Sequence, residues 1–148
     1  MSSTLVFGLG SGQGDDQLGW LVAEYLTVAV SHARATIRRA VSPSELLDLL
    51  DGVDRLIVCD ASHSLGAPGT IHRWRWPDVP VARLRSTSSH DLGLGEVLKL
   101  AEQLCLLPPE VVVYAAEVAS SAPLASVSVA TQATANRLAA EIIEFIQC

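Results

Sequence analysis

Three short apolar runs stand out along the chain, each closed by glycine or polar residues. They span Thr4–Phe7, Arg55–Cys59 and Glu110–Ala116. Continuous rather than alternating hydrophobicity is typical of strands that are covered on both faces, as in parallel sheets. Two weaker runs, Ala35–Ala40 and Thr70–Trp74, predict further strands, and we expect the second to be antiparallel and near an edge.

The segments between these runs have helical periodicity or helix-start signals. We predict helices over Asp16–Ser31, about Ser42–Leu50, about Asp91–Leu106 and about residues 129–147. The resulting order, β-α-β-α-β-β-α-β-α, indicates an α/β fold. We expect one domain over residues 1–148, with three α/β/α layers, a mostly parallel twisted sheet and one antiparallel edge strand.

Composition narrows the classes of partner. The 148 residues are 49% hydrophobic and carry a formal net charge of −6, which favours a compact domain and argues against a nucleic-acid partner. No basic, apolar leader precedes the first strand, and no apolar run is long enough to span a bilayer. The three cysteines are far apart, and we expect Cys59 and Cys105 to be buried thiols in a reducing compartment. These features predict a cytoplasmic protein without a membrane partner.

The glycine-rich loop after the first strand suggests phosphate binding, but its spacing does not fit. A GxGxxG fingerprint starting at Gly8 or Gly10 needs glycine where Gln13 and Asp15 stand. Adjacent carboxylates at the start of the following helix would also repel a pyrophosphate. A small nucleotide-binding domain is therefore only a minor alternative.

Carboxylates and a histidine indicate a different kind of site. Asp60 closes the second buried strand, so we expect it at the same sheet edge as the loop that carries Asp15 and Asp16. His90 lies at the start of a predicted helix. Two acids and an imidazole suit a borderline divalent metal with open positions. Taken alone, however, acids at a sheet edge are often helix caps, and an exposed histidine is often only solvated.

Three sequence blocks resemble the hydrogenase maturation endopeptidases, which trim the large subunit of nickel–iron hydrogenases. The first is residues 6–19 (VFGLGSGQGDDQLG), similar to the family's GxGN…(D/G)(D/E)xxG opening. The second joins residues 56–61 (LIVCDA) to 67–70 (APGT), and the third is residues 88–94 (SSHDLGL). The blocks occur in the family's order and at similar spacing.

The resemblance implies that Asp16, Asp60 and His90 are both the metal ligands and the catalytic residues. In the family such residues engage nickel that is already installed in the substrate, so the expected cofactor is substrate-borne nickel and the expected partner is a hydrogenase large-subunit precursor. Asp15 is then either a neighbouring acid or general base, or a charge that compensates the helix end. His63, three residues after Asp60, is either an added ligand or a solvated loop histidine.

Two departures from the family pattern qualify this inference. Ser11 stands where the family usually has asparagine, and Gly12 follows it in a loop that is one residue shorter. Glu117 is followed by Val118, where the family usually continues into a glutamate-proline segment. We expect an endopeptidase that removes the C-terminal extension of the large subunit after nickel insertion; the alternative is a non-catalytic binding or assembly factor on the same scaffold.

Overall fold

The computed structural model describes residues 3–63, 66–80, 92–119 and 126–147. Within these ranges the chain forms strands and α-helices in the predicted order, together with two short 3-10 helices. The strands are β1 (Thr4–Leu9), β2 (Thr36–Ala40), β3 (Arg55–Ser62), β4 (Ile71–Arg75) and β5 (Glu110–Glu117). The α-helices are α1 (Leu18–Ala29), α2 (Leu94–Gln103) and α3 (Val129–Gln147), and the 3-10 helices are Gly14–Gln17 and Pro43–Asp48.

The strands form a single five-stranded sheet in the order β2-β1-β3-β5-β4. The first four of these strands are parallel, whereas β4 pairs antiparallel with β5 and lies at the edge. The predicted α/β architecture, including its antiparallel edge strand, is confirmed. Because β1 and β3 are parallel neighbours, the segments that leave their carboxyl ends start side by side.

Successive residues of the central strands point to opposite faces of the sheet, and both faces are covered. Val6 of β1 and Ile57 of β3 pack in a core with α1 and α3, whereas Phe7 and Val58 pack in a second core with α2. All four of these side chains have no solvent-exposed surface. Burial on both faces explains why these strands have continuous apolar sequences.

The structure corrects several predicted boundaries. The chain enters α1 through the 3-10 helix Gly14–Gln17, so Asp16 precedes the α-helix. The segment expected to be a helix to Leu50 is only the 3-10 helix Pro43–Asp48, although Ser42 and Glu45 form the capping box that its sequence favours. Strand β3 continues past Cys59 to Ser62 because its last residues pair with β5, which places Asp60 inside the strand.

The two cysteines that were expected to be buried differ. Cys59 is buried in β3, but Cys105 is exposed. Cys105 follows the end of α2 and has a φ of 58°, so the chain turns out of the helix at this residue. The prediction for Cys105 was wrong because periodicity continued the apolar stripe beyond the point where the helix ends.

Among the helices of the described ranges, none is long and apolar enough to cross a membrane.

Candidate functional site

Close packing of α1 on β1 positions the acidic loop. A Cβ atom at Gly19 would collide with the backbone carbonyl of Leu9, and a Cβ at Gly8 would collide with the carbonyl of Gly19. Glycine at these two positions therefore lets the helix approach the strand at backbone distance. The intervening 3-10 helix packs against β3, so Asp15 and Asp16 lie at the carboxyl end of the sheet.

Asp15 faces the protein interior. Its side chain is 2% exposed, and its two carboxylate oxygens accept hydrogen bonds from the backbone N–H (2.8 Å) and the hydroxyl (3.1 Å) of Ser128. The Ser128 hydroxyl also accepts a hydrogen bond from the N–H of Thr131 in the first turn of α3 (3.2 Å). These contacts tie the acidic loop to the start of α3, and they favour an anchoring role for Asp15 over that of a general base.

Asp16 is only partly buried, and its carboxylate is held from one side. The Ser11 hydroxyl donates a 2.6 Å hydrogen bond to Oδ2 of Asp16. The backbone N–H of Ser11 also donates to the carbonyl of Asp16 (3.3 Å), which closes the loop. Within the described ranges, Oδ1 of Asp16 has no hydrogen-bond partner.

Asp60 is held in a similar way. It lies in register with Ala115 of β5, and its Oδ1 accepts a 2.8 Å hydrogen bond from the N–H of Ala61. No side chain or backbone group in the described part of the protein donates to Oδ2. Burial, followed by the negative charge of Asp16, raises the pKa of Asp60 to about 8, although the Ala61 hydrogen bond acts in the opposite direction.

The negative charge of Asp16 contributes to the raised pKa of Asp60, so these two predicted site residues lie near one another in the structure. Each carboxylate uses one oxygen in a hydrogen bond within the protein and keeps the other without a partner among the described residues. Two neighbouring carboxylates of this kind fit a divalent cation, because a positive charge would offset the unfavourable interaction of their negative charges.

The third predicted ligand, His90, lies outside the described residues, so its place at this site stays a prediction. Consistent with this, the described ranges contain no group of three histidine, cysteine or acidic side chains arranged to hold a metal ion. His63 is described, and it is an exposed residue in the bend that follows β3.

The thiol beside Asp60 does not join the site. Burial raises the pKa of Cys59 to about 12, and the negative charge of Asp60 acts in the same direction. Its Sγ lies 3.9 Å from the carbonyl oxygen of Phe7, to which the thiol donates. Cys59 is therefore a neutral thiol near neutral pH. It supplies neither a nucleophile nor a thiolate ligand.

The sequence did not indicate the roles of two serines that support the acidic loop. Ser128 is 113 positions from Asp15 and lies in a segment that appears only as a loop in the sequence. Ser11 was noticed only as a departure from a family pattern, and the sequence contained no signal that its hydroxyl contacts Asp16. The Ser128 contact depends on the tertiary path of the chain, and the Ser11 contact depends on how the loop between β1 and α1 closes.

Comparison with known proteins gives a matching family model and several solved structures of similar fold. A family model described as "hydrogenase maturation protease" matches residues 40–145, a range that includes Asp60 and His90 but not Asp16. No curated protein matches the chain.

Several solved structures have the same fold. The hydrogenase maturating endopeptidase HybD from E. coli has a TM-score of 0.82 and 24% identity, over 99% of this chain and 93% of that one. The hydrogenase 2 maturation peptidase from a Thaumarchaeota archaeon has a TM-score of 0.74 and 23% identity, over 98% of each chain. The [NiFe] hydrogenase maturation protease HycI from Thermococcus kodakarensis has a TM-score of 0.73 and 22% identity, over 99% of this chain and 94% of that one. At these identities the structures establish the similarity of fold alone.

Proposed function

Because this chain belongs to the hydrogenase maturation protease family, we propose that Asp16, Asp60 and His90 bind the nickel of a hydrogenase large-subunit precursor during cleavage. Membership of the family confirms the resemblance inferred from the three sequence blocks. The protein is accordingly a peptidase that acts in the C-terminal processing of a hydrogenase large subunit.

One observation supports the assignment most directly. Asp16, in the 3-10 helix after β1, and Asp60, in β3, come close enough for their charges to interact, and each keeps one carboxylate oxygen without a partner among the described residues. Placing like charges together in a partly buried position costs stability unless a cation or a proton offsets them. A nickel ion carried by the precursor would supply that positive charge.

The nickel belongs to the substrate in this proposal. When it is bound, it supplies a Lewis acid that polarises the scissile carbonyl or lowers the pKa of a water molecule. The contribution of this chain is to orient the substrate through ligands that are already held. The Ser11 hydroxyl holds the carboxylate of Asp16, and the N–H of Ala61 holds that of Asp60. Ligands held before binding lose less entropy when the substrate arrives.

We also propose that the protein acts in the cytoplasm. In the described part of the chain, Cys59 and Cys105 are free cysteines, one buried and one exposed. An exposed free thiol fits a reducing compartment.

The decisive experiment compares nickel-loaded with nickel-free precursor. We expect the purified protein to shorten the loaded precursor, as followed by mass spectrometry, and to leave the nickel-free precursor intact. Equal trimming of both forms would contradict the role of nickel. Binding of the loaded precursor without any trimming would instead indicate a non-catalytic assembly factor.

Two histidine substitutions test whether His90 is the third ligand. We expect His90→Ala to abolish trimming of the loaded precursor while its circular dichroism spectrum and melting temperature stay close to those of the wild type. His32→Ala is the matched control, because His32 is exposed and lies beyond the end of α1, away from the sheet's carboxyl edge. Full activity of His90→Ala would remove this residue from the site.

A further inference from the structure

We propose that Ser11 is a positioning residue, which fixes the carboxylate of Asp16 in the orientation that meets the metal-bearing substrate. This inference rests on the proposed function, because it gives Ser11 a role only if Asp16 contacts the metal. It concerns the residue at which this chain departs from the usual family pattern.

The hydrogen bonds around Ser11 determine the direction of its hydroxyl. The Ser11 oxygen accepts a 3.3 Å hydrogen bond from the N–H of Gln13, so its own proton is directed elsewhere. That proton is donated to Oδ2 of Asp16 over 2.6 Å, a distance typical of a strong hydrogen bond from a hydroxyl to a carboxylate. One oxygen of Asp16 is thereby occupied, and the other is left for a ligand.

Closing the loop does not require this hydroxyl. The backbone N–H of Ser11 already donates to the carbonyl of Asp16, and the N–H of Asp16 donates to the carbonyl of Gln13. An alanine at position 11 would preserve both backbone contacts. What it would remove is the only hydrogen bond to the Asp16 carboxylate from the described residues, so the side chain would be free to rotate.

When the hydroxyl is absent, no hydrogen bond from the described residues holds the Asp16 carboxylate in this orientation. The Ser11 proton therefore has two effects: it selects one rotamer of Asp16, and it draws negative charge away from the oxygen that it contacts. Groups that hold a metal ligand in this way commonly change metal affinity by roughly 10- to 100-fold when they are removed.

The test is calorimetric titration of the purified, metal-free protein with Ni²⁺, using three variants. We expect Ser11→Ala to bind Ni²⁺ about 10- to 100-fold more weakly than the wild type. Ser11→Thr retains the hydroxyl, so its affinity should stay close to that of the wild type. Gly12→Ala is the control for a change in the same loop, because a Cβ at Gly12 meets no atom within 4 Å, and it should also bind normally.

A crystal structure of metal-free Ser11→Ala supplies a second measurement that does not depend on metal binding. We expect the Asp16 side chain to leave its wild-type rotamer while the backbone of residues 11–16 is unchanged. An unchanged Asp16 rotamer, or unchanged Ni²⁺ affinity in Ser11→Ala, would overturn the positioning role.

A titration with Asp60→Ala distinguishes failure of the proposed metal site from failure of the positioning role of Ser11. If the wild type and Asp60→Ala give the same Ni²⁺ titration, the metal site is wrong, and the role of Ser11 falls with it. If Asp60→Ala loses binding whereas Ser11→Ala keeps it, the metal site stands and only the positioning role is overturned.

Discussion

Charged side chains are arranged in opposite ways at the two ends of strand β3: opposite charges pair at one end, and like charges are neighbours at the other. At the amino end, Arg55 lies in register with Glu110 of β5, and its Nε is 3.7 Å from Oε1 of that glutamate. A second cation, Arg75 of β4, lies 3.2 Å from Oε2 of Glu110. At the carboxyl end, Asp60 lies beside another acid, Asp16, and neither has an ion-pair partner among the described residues.

This difference separates charges that stabilise the fold from charges that, in the proposed function, bind a ligand. The amino-end charges compensate one another and join three strands. At the carboxyl end, the negative charge of Asp16 and the burial of Asp60 both disfavour ionised Asp60, and no cation among the described residues pairs with either acid. A group with a strongly shifted pKa, as Asp60 has, is typical of functional sites. Each of the following predictions alters one end of β3, or a surface pair used as a reference.

The largest expected effect is on activity at the carboxyl end. Asp60→Asn should reduce trimming of the nickel-loaded precursor to below detection, because an amide oxygen carries no charge to offset the metal. The melting temperature should stay the same or rise, because the variant lacks a carboxyl group whose charged form is disfavoured by burial. Mass spectrometry of the precursor and a thermal melt measure the two quantities, and a variant that loses both activity and fold would contradict the comparison.

The next largest effect is the dependence of stability on pH. The pKa of Asp60 is raised from its ordinary value of 3.8 to about 8, so between these values the native metal-free protein keeps a proton that the unfolded chain has lost. The contribution of Asp60 to the free energy of unfolding is therefore largest below pH 4. It falls as pH rises toward 8, by at most about 1.4 kcal/mol per pH unit.

The measurement is urea denaturation of the wild type and Asp60→Asn at several pH values between 4 and 8. The free energy of unfolding of the wild type should decrease with pH relative to that of the variant. Parallel curves for the two proteins would show that the pKa of Asp60 is not raised.

At the amino end, removal of a charged side chain should lower stability but leave activity unchanged. Arg55 contacts Glu110, donates to the hydroxyl of Thr4 and the carbonyl of Ile146, and lies 5.0 Å from the ring centroid of Phe145. Arg55→Ala should therefore lower the free energy of unfolding by about 1–3 kcal/mol. Trimming of the loaded precursor below the unfolding transition should match that of the wild type, and a specific loss of activity would show that the two ends are coupled.

The smallest effect is expected for a pair that belongs to neither end. Glu24 of α1 and Arg39 of β2 lie 3.4 Å apart, with side chains that are 58% and 56% exposed. Glu24→Ala should change the free energy of unfolding by no more than about 0.5 kcal/mol, because water and salt screen such a pair. A larger loss in urea denaturation would mean that exposed pairs contribute as much as the partly buried pair of Arg55.

Much of this comparison could be anticipated from local sequence. The apolar runs predicted β1, β3 and β5 because strands buried on both faces need uninterrupted hydrophobic side chains. Asp60 was placed at the carboxyl end of its strand from chain direction alone. Errors arose where a local pattern competed with a long-range contact: β3 is longer than predicted because pairing with β5 extends it, and α2 ends before the apolar stripe that included Cys105.

The candidate site also divides into features that local sequence predicts and features that long-range contacts decide. The sequence determined that acids follow β1 and lie near the carboxyl end of β3, and motif order added His90, which lies outside the described residues. It also determined the fold class, since hydrophobic period and chain order are local properties. Only the tertiary structure decided the different roles of the adjacent acids Asp15 and Asp16. Ser128, which hydrogen-bonds Asp15, and Asp60, whose pKa is raised by Asp16, lie far away along the chain, and burial and charge interaction depend on distances in space that no local pattern encodes.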